Sequence, residues 1–566
     1  MSASSENRRG RVKAKLFKTN DMKRSAIILA LLSCGMFAQA GNINGRVICD
    51  GHPLRGVPVS DGKNIVLTGA DGRYSIDSDK REGTVFVITP SGYIARSMDG
   101  LRPGFWQALY LPAGQDEIHD FVLERQDQRN YTVLFMTDMH LSNDPERDDL
   151  RRFREIVMPS VRMETEKASA RGPVYTFNLG DTTHDVYWGE FDFNESDGLR
   201  FLQDIGYPTP FYSVMGNHDH DPSIVGEDVD RRAGWRNRDC WGPGAYSVNI
   251  GSDHWIFLDN LIYVNVEGKG KTAPGVKGDR SYKNMLTETQ FEWLGNDLAL
   301  VDEDARIFIC THAPALYSNG RDNLLMPREQ VRRIYELCAP FSQGVTVFSG
   351  HIHRNDILDH ADFPRMHQRS LPATSGIMWT TPVDWPLYSN EGSDAGFWVA
   401  EFNGHDAPSY RLETYLYGEK YFRFYDMNEV GKVYKTDEGI REQQKLFPDT
   451  RIDYSKPKWR NYVFVNYWGW EPGDYVEMYE KGKKLKTEET RYEDPVKNFA
   501  YELPRVMNPY KHSSKKAKDN TNHMYIAKAS SATAPVTVKI YASDGRLKHE
   551  KTFTRPRAFD PSQPED

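Results

Sequence analysis

Six short apolar runs set the frame of this chain: YTVLFM (131–136), PVYTFNL (173–179), FYSVM (211–215), HWIFLD (254–259), RIFIC (306–310) and VTVF (345–348). They are rich in Val, Ile and Phe and too short for helices. The stretches between them, such as DDLRRFREIVMPSVRMETEKA, TETQFEWLGNDLAL and PREQVRRIYELC, carry helical spacing, the last with Pro327 placed at a helix start. Apolar strands alternating with helices build α/β layers. The tighter constraint lies in the residues just past the end of each run. TDMH brings Asp138 and His140, GDTTHD brings Asp181, His184 and Asp185, and GNHDH brings Asn217, His218 and Asp219. THAP then brings His312, and SGHIH brings His351 and His353. In a parallel or mixed sheet the carboxyl ends of the strands gather on one rim, where ligands bind.

Asp138, His140, Asp181, Asn217, His312, His351 and His353 are seven oxygen and imidazole donors, more than one metal needs and enough for two if a carboxylate bridges. Paired ions roughly 3.5 to 4 Å apart clamp a phosphoryl group and lower the pKa of a shared water. No thiolate takes part, so an iron–sulfur or cysteine-based zinc site is excluded, and mixed N and O donors suit Zn, Mn or Fe and disfavour Ca. Each residue alone reads equally as a turn, cap or loop residue. Their joint order and strand phase do not.

The pattern resembles the calcineurin-like metallophosphoesterases, whose signature is D-x-H, G-D-x-x, G-N-H-[DE], a lone His and G-H-x-H behind successive strands. Here these are DMH (138–140), GDTTH (180–184), GNHD (216–219), THAP (311–314) and GHIH (350–353), within residues 128–402. The resemblance implies a four-layer α/β/β/α sandwich around two divalent or trivalent ions. Asp138, His140, Asp181 and His353 would hold one ion, and Asp181 would bridge to a second held by Asn217, His312 and His351. His218 would steady a phosphate oxygen and protonate the leaving group, oriented by Asp219, a task suited to imidazole near neutral pH. The purple acid phosphatase branch has an iron-binding tyrosine where this chain has His184, so a ferric-tyrosinate centre is not expected and the metal identity stays open. His184 and Asp185 are candidates for substrate or supporting contacts. Trp379 and Trp385, in the loop SGIMWTTPVDWP, are candidates for a substrate wall.

A chain of 566 residues exceeds one core. Residues 41–127 and 403–550 alternate short apolar runs with turn signals, which predicts a β-sandwich before the catalytic domain (128–402) and a β domain after it, then a polar tail at 551–566. This three-part order resembles exported bacterial members of the family. Lys23 and Arg24 ahead of AIILALLSCGMF, with AQA at 38–40, predict a signal peptide over 1–40 and a periplasmic or secreted protein. LLSC also resembles a lipoprotein box, so a membrane anchor is expected only if Cys34 is lipidated. Without the first 40 residues, 64 basic residues stand against 78 acidic ones, which argues against general nucleic-acid binding.

The expected activity is hydrolysis of phosphate monoesters by in-line attack of a metal-bridged water. The alternative is a phosphodiesterase acting on a nucleotide, phospholipid headgroup or phosphorylated glycan. A different class also stays open: a cell-surface or glycan-binding module with a vestigial metal site, for which Trp468 and Trp470 would form the platform.

Overall fold

The computed structural model describes residues 41–268, 273–415, 418–446, 453–504, 521 and 523–563; the expected signal segment 1–40, with Cys34, lies outside the described residues. Each apolar run forms a strand. The catalytic unit contains β1 (Asn130–Met136), β2 (Val174–Asn178), β3 (Phe211–Ser213), β4 (Ala245–Ile250), β5 (Asp253–Leu258), β6 (Leu261–Val266) and β7 (Asp279–Asn284). It continues with β8 (Arg306–Thr311), β9 (Val345–Ser349), β10 (Asp356–His360), β11 (Phe363–Ser370), β12 (Gly396–Asn403) and β13 (Ser409–Thr414). One sheet runs β3-β2-β1-β12-β13, with β1, β2 and β3 parallel. The second runs β4-β5-β8-β9-β11-β10, with β5, β8, β9 and β11 parallel.

The two sheets pack face to face. Phe135 of β1 stacks on Phe348 of β9 with centroids 4.3 Å apart, and Phe177 of β2 meets Trp255 of β5 edge-on at 4.8 Å. Strand periodicity explains why β1 is apolar on both sides. Val133 and Phe135 enter the core between the sheets, while Leu134 and Met136 enter the core under the helix Met158–Ser169. The helices Glu288–Leu298 and Arg328–Leu337 cover the other sheet through Phe291, Leu294, Val331 and Ile334. The result is the expected α/β/β/α sandwich, flanked by mostly β regions.

Residues 43–125 form a six-stranded and a four-stranded sheet, and in the first strand, Ile43–Cys49, every second residue is buried. This region has no separate core. Phe86 packs on Trp293, whose Nε1 donates to Ser60 Oγ at 3.1 Å, and Phe105 packs on Tyr246 at 4.8 Å. One apolar cluster therefore runs from Val47 through Trp293 to Trp398.

Four expectations need correction. Ser409–Thr414, assigned by its alternation to the C-terminal domain, pairs with β12 and completes the catalytic sheet, because alternation marks a strand but not its partner. The C-terminal region, 422–553, holds two four-stranded sheets but also the helices Met427–Thr436 and Glu438–Leu446, the first capped by Asp426. The tail is not a loose end: Leu547–Phe553 is a strand, Arg555 pairs with buried Asp426, and Phe559 enters a core. Trp468 is fully buried, which removes it from any glycan platform.

The shared core predicts that the N-terminal domain and the catalytic unit unfold together. Trp293→Ala should cost about 3–5 kcal/mol, and thermal unfolding of the intact chain should show no separate N-terminal transition. A version lacking 41–126 that melts like the parent would contradict this.

Candidate metal centre

The carboxyl ends of β1, β2 and β3 from one sheet and of β8 and β9 from the other meet at a common rim. Each strand ends in an abrupt turn. Asp138, His140, Asp181, His351 and His353 all adopt left-handed backbone, with φ between 46° and 69°. Asp and His are among the few side chains that tolerate this region, and such strain persists only where the surroundings hold it. The motif glycines serve close packing. A Cβ at Gly350 would collide with Thr137 Oγ1 and the Asp138 carboxylate, and one at Gly216 would collide with the Asp181 carboxylate. β5 contributes through Asn260, which takes the Ala313 N–H at 3.1 Å and donates to the Ala313 carbonyl at 2.7 Å, pinning the turn after His312.

These turns bring all seven expected donors together. His353 Nε2 lies 3.0 Å from Asp138 Oδ1 and 3.1 Å from His140 Nε2. Asp181 Oδ2 lies between His312 Nε2 at 3.2 Å and His140 Nε2 at 3.8 Å, the position a bridging carboxylate must occupy. Asn217 Oδ1 and His351 Nδ1 each approach His312 Nε2 at 3.2 Å. Asp138, His140 and His353, and separately Asp138, Asp181 and His312, each place donor atoms within 4.8 Å of one another.

The hydrogen bonds around the donors aim them inward. Asp138 Oδ2 accepts from Thr137 Oγ1 at 2.7 Å and from the His351 N–H at 2.9 Å, which leaves the buried Oδ1 facing His353 Nε2. Asp181 Oδ1 accepts the His218 N–H at 2.7 Å, leaving Oδ2 for the centre. His312 Nδ1 donates to the Leu179 carbonyl at 2.7 Å, which directs Nε2 to the cluster. His351 Nε2 meets the Tyr282 hydroxyl at 3.2 Å, which directs Nδ1 to the cluster.

The electrostatics show the same demand. Burial raises the Asp138 and Asp181 carboxyls, but His353 and His312 outweigh it and hold both below the usual range. Burial opposes charge on His312 as well, yet Asp181 and Asp138 push its pKa up to about 9. Burial holds His140 well below the usual histidine range and, with His312 nearby, takes His351 down to about 3. Two buried carboxylates thus draw positive charge to His312 while burial disfavours it on His140 and His351, and this donor set fits a pair of cations.

The proposed acid has a different partner from the expected one. His218 Nδ1 lies 2.7 Å from Asp185 Oδ1, and Arg280 forms an ion pair with the same carboxylate. Asp219 instead points beneath the centre. Its Oδ2 accepts the N–H groups of Gly216 at 2.7 Å and Asp181 at 2.8 Å. Burial and the nearby carboxylate of Glu195 push its pKa well up. Asp219 therefore fixes the backbone of two motifs and does not orient His218.

His184 is buried between His140 and His218, with centroids 5.1 and 4.2 Å away. Trp379 is not a substrate wall: it is 1% exposed and its Nε1 donates to the Met139 carbonyl at 2.8 Å. Trp385 packs against the core of the C-terminal region. The residues missed by sequence reasoning are Arg280 and Tyr282. They sit two apart on β7, which forms a hairpin with β6. The alternation in LIYVNV was the available signal, though nothing in it says where the hairpin folds.

Three family models match in chain order. The N-terminal region of calcineurin-like phosphoesterases matches 41–126, calcineurin-like phosphoesterase itself 131–355, and the C-terminal region of calcineurin-like phosphoesterases 370–547. No curated protein matches the sequence. Among solved structures, a dimetal phosphatase from Danio rerio is 14% identical, covering 50% of this chain and 98% of its own, with a TM-score of 0.31. A 5'-nucleotidase precursor from Thermus thermophilus is 11% identical over 51% of this chain and 55% of its own, with a TM-score of 0.26. The NAD nucleotidase of Haemophilus influenzae is 11% identical over 50% of this chain and 49% of its own, with a TM-score of 0.26. By the three ordered family matches, the chain belongs to the calcineurin-like phosphoesterases, metal-dependent hydrolases of phosphate esters.

Proposed function

We propose that this chain is a phosphomonoesterase whose centre takes one cation at Asp138, His140, Asp181 and His353 and another at Asp181, Asn217, His312 and His351. The observation that carries the reading is the convergence of two buried carboxylates with inward-aimed imidazoles, His353 Nε2 lying 3.0 Å from Asp138 Oδ1 and His312 Nε2 3.2 Å from Asp181 Oδ2. Zn, Mn or Fe bound there would offset the carboxylate charge, polarise phosphoryl oxygens and make a water nucleophilic near neutral pH.

The chain's own residues supply the rest. His218, with its side chain 27% exposed, lies at the mouth; Asp185 holds its Nδ1–H, which leaves Nε2 for a phosphoryl or leaving-group oxygen. Arg280 pairs with the same Asp185 carboxylate. Arg147 stacks on Tyr187, which stacks on His184 beside His218. Arg280, paired with Asp185, and Arg147, paired with Asp144, bring guanidinium groups to the acid's side of the centre, which supports a terminal phosphate dianion as substrate. The diester reading looks to the cationic groove of about 510 Å³ along β7, lined by Lys283, Asn284, Arg321 and Arg328. A phosphorylated small molecule, lipid headgroup or glycan fits either reading. Export also belongs to this proposal, supported by the signal-like pattern of residues 1–40.

With added Mn2+ or Zn2+, p-nitrophenyl phosphate should be hydrolysed in preference to its bis-ester, and a chelator should abolish turnover. Preference for the bis-ester would favour the diesterase. Asp181→Ala should remove hydrolysis from a folded protein; unchanged product yield would point to a binding module.

Asp185→Asn should lower kcat by roughly 10²-fold or more for alkyl phosphates and much less for p-nitrophenyl phosphate, whose leaving group departs without a proton. Asp219→Asn should lower the melting temperature without changing sensitivity to the leaving group. Equal losses on both substrates for Asp185→Asn would remove His218 from the acid role.

A further inference from the structure

A buried polar chain connects the C-terminal region to the turn that carries His351 and His353, and hydrolysis as described makes no use of it. Its middle is the irregular loop 389–394 of the catalytic unit. On one side this loop holds the histidine turn. The Asn390 N–H donates to the His353 carbonyl at 3.3 Å. Glu391 Oε1 accepts from Asn355 Nδ2 at 2.6 Å and from Ser393 Oγ at 2.9 Å, and Asn355 Oδ1 in turn accepts from Trp398 Nε1 at 2.8 Å.

On the other side the loop sits in a socket made by the C-terminal region. Asn466 Nδ2 donates to the Glu391 carbonyl at 2.9 Å and to Asp494 Oδ2 at 2.8 Å, and Asn466 Oδ1 lies 2.8 Å from His523 Nδ1. Arg423 donates to the Gly392 carbonyl and to the Asp394 carboxylate, with its guanidinium between the rings of Tyr388 at 5.0 Å and Trp468 at 5.5 Å. Gly392 has φ 83° and lies against Asp494 so closely that a Cβ would overlap the carboxylate. Asn355, Glu391, Asp394, Arg423, Asn466 and Asp494 are all buried.

We infer that the C-terminal region is a positioning part of the metal centre: through Arg423, Asn466 and Asp494 it seats loop 389–394, and Glu391 of that loop fixes the turn carrying His351 and His353. This rests on the proposed reading of those histidines as cation ligands. The physical need is specific. His351 and His353 sit at φ 69° and 53°, and a turn of that kind keeps its shape only when its neighbours over-determine it. The neighbours here are a buried carboxylate and amide, and these are themselves fixed from another domain. Groups that orient ligands from behind govern affinity nearly as strongly as the ligands.

The test is Mn2+ titration of the full-length protein, followed by calorimetry and electron paramagnetic resonance. Glu391→Ala and Asn466→Ala should each weaken Mn2+ binding by roughly 10- to 100-fold, at the site of His353 and at that of His351. Glu391→Gln, which keeps an oxygen for Asn355, should bind within a few-fold of the parent. Glu471→Gln cuts the Arg369–Glu471 ion pair, a separate contact between the same two regions, and should bind like the parent. Near-UV circular dichroism confirms folding, and if Glu391→Ala does not fold, Asn466→Ala decides. Parent-like Mn2+ affinities in the folded variants would overturn the inference. So would equal weakening in Glu471→Gln, which would indicate a general loosening of the domain contact. If the parent itself binds no Mn2+, the cation reading fails instead.

Discussion

Asp138 and Asp181 are buried together where two sheets meet, and the rest of the centre answers to that fact. Two carboxylates removed from water cost several kcal/mol each unless paired with positive charge. The surrounding protein offers imidazoles and one amide but no lysine or arginine in direct contact with either carboxylate among the described residues. The left-handed turns, the glycines in the Gly-Asn and Gly-His motifs and the inward-aimed ring nitrogens all keep this charge in place. Backbone strain of this kind persists only where the surroundings over-determine it, and the donor set that it holds in place fits cations.

Around this centre the molecule separates holding from reacting. The donors and the carboxylates behind them are buried, whereas His218, Arg280 and Tyr282 lie at the mouth. Asp219 shows the separation most clearly: it lies next to His218 in sequence yet serves the backbone below the centre, while Asp185 from another strand end serves His218. The flanking regions belong to the same design. The N-terminal sheets share an apolar core with the catalytic sandwich, and the C-terminal region reaches the His351–His353 turn through a buried polar loop.

The strands and the seven side chains that converge at their ends could be read from the chain because apolar runs of four to seven residues followed by Asp, Asn or His in fixed order have few other uses. Partner choice could not. Asp219 looked like the orienter of His218 because it is adjacent, but successive side chains in a tight turn diverge, and only the fold shows Asp185 arriving. Arg280 and Tyr282 lie on an exposed hairpin whose strand character is visible and whose docking is not. Trp379 looked like a substrate-wall residue because its loop follows the last motif; its indole N–H donates to the Met139 carbonyl, and the ring is buried in the core. Ser409–Thr414 was a visible strand whose sheet depended on long-range pairing.

The central claim is that Asp138 and Asp181 hold two cations between them. Anomalous scattering from crystals grown with Mn2+ or Zn2+ tests it most directly. The account predicts two peaks roughly 3.5 to 4 Å apart, with Asp181 touching both, His140 and His353 on one side and Asn217, His312 and His351 on the other. A single peak, or peaks away from Asp138 and Asp181, would contradict it.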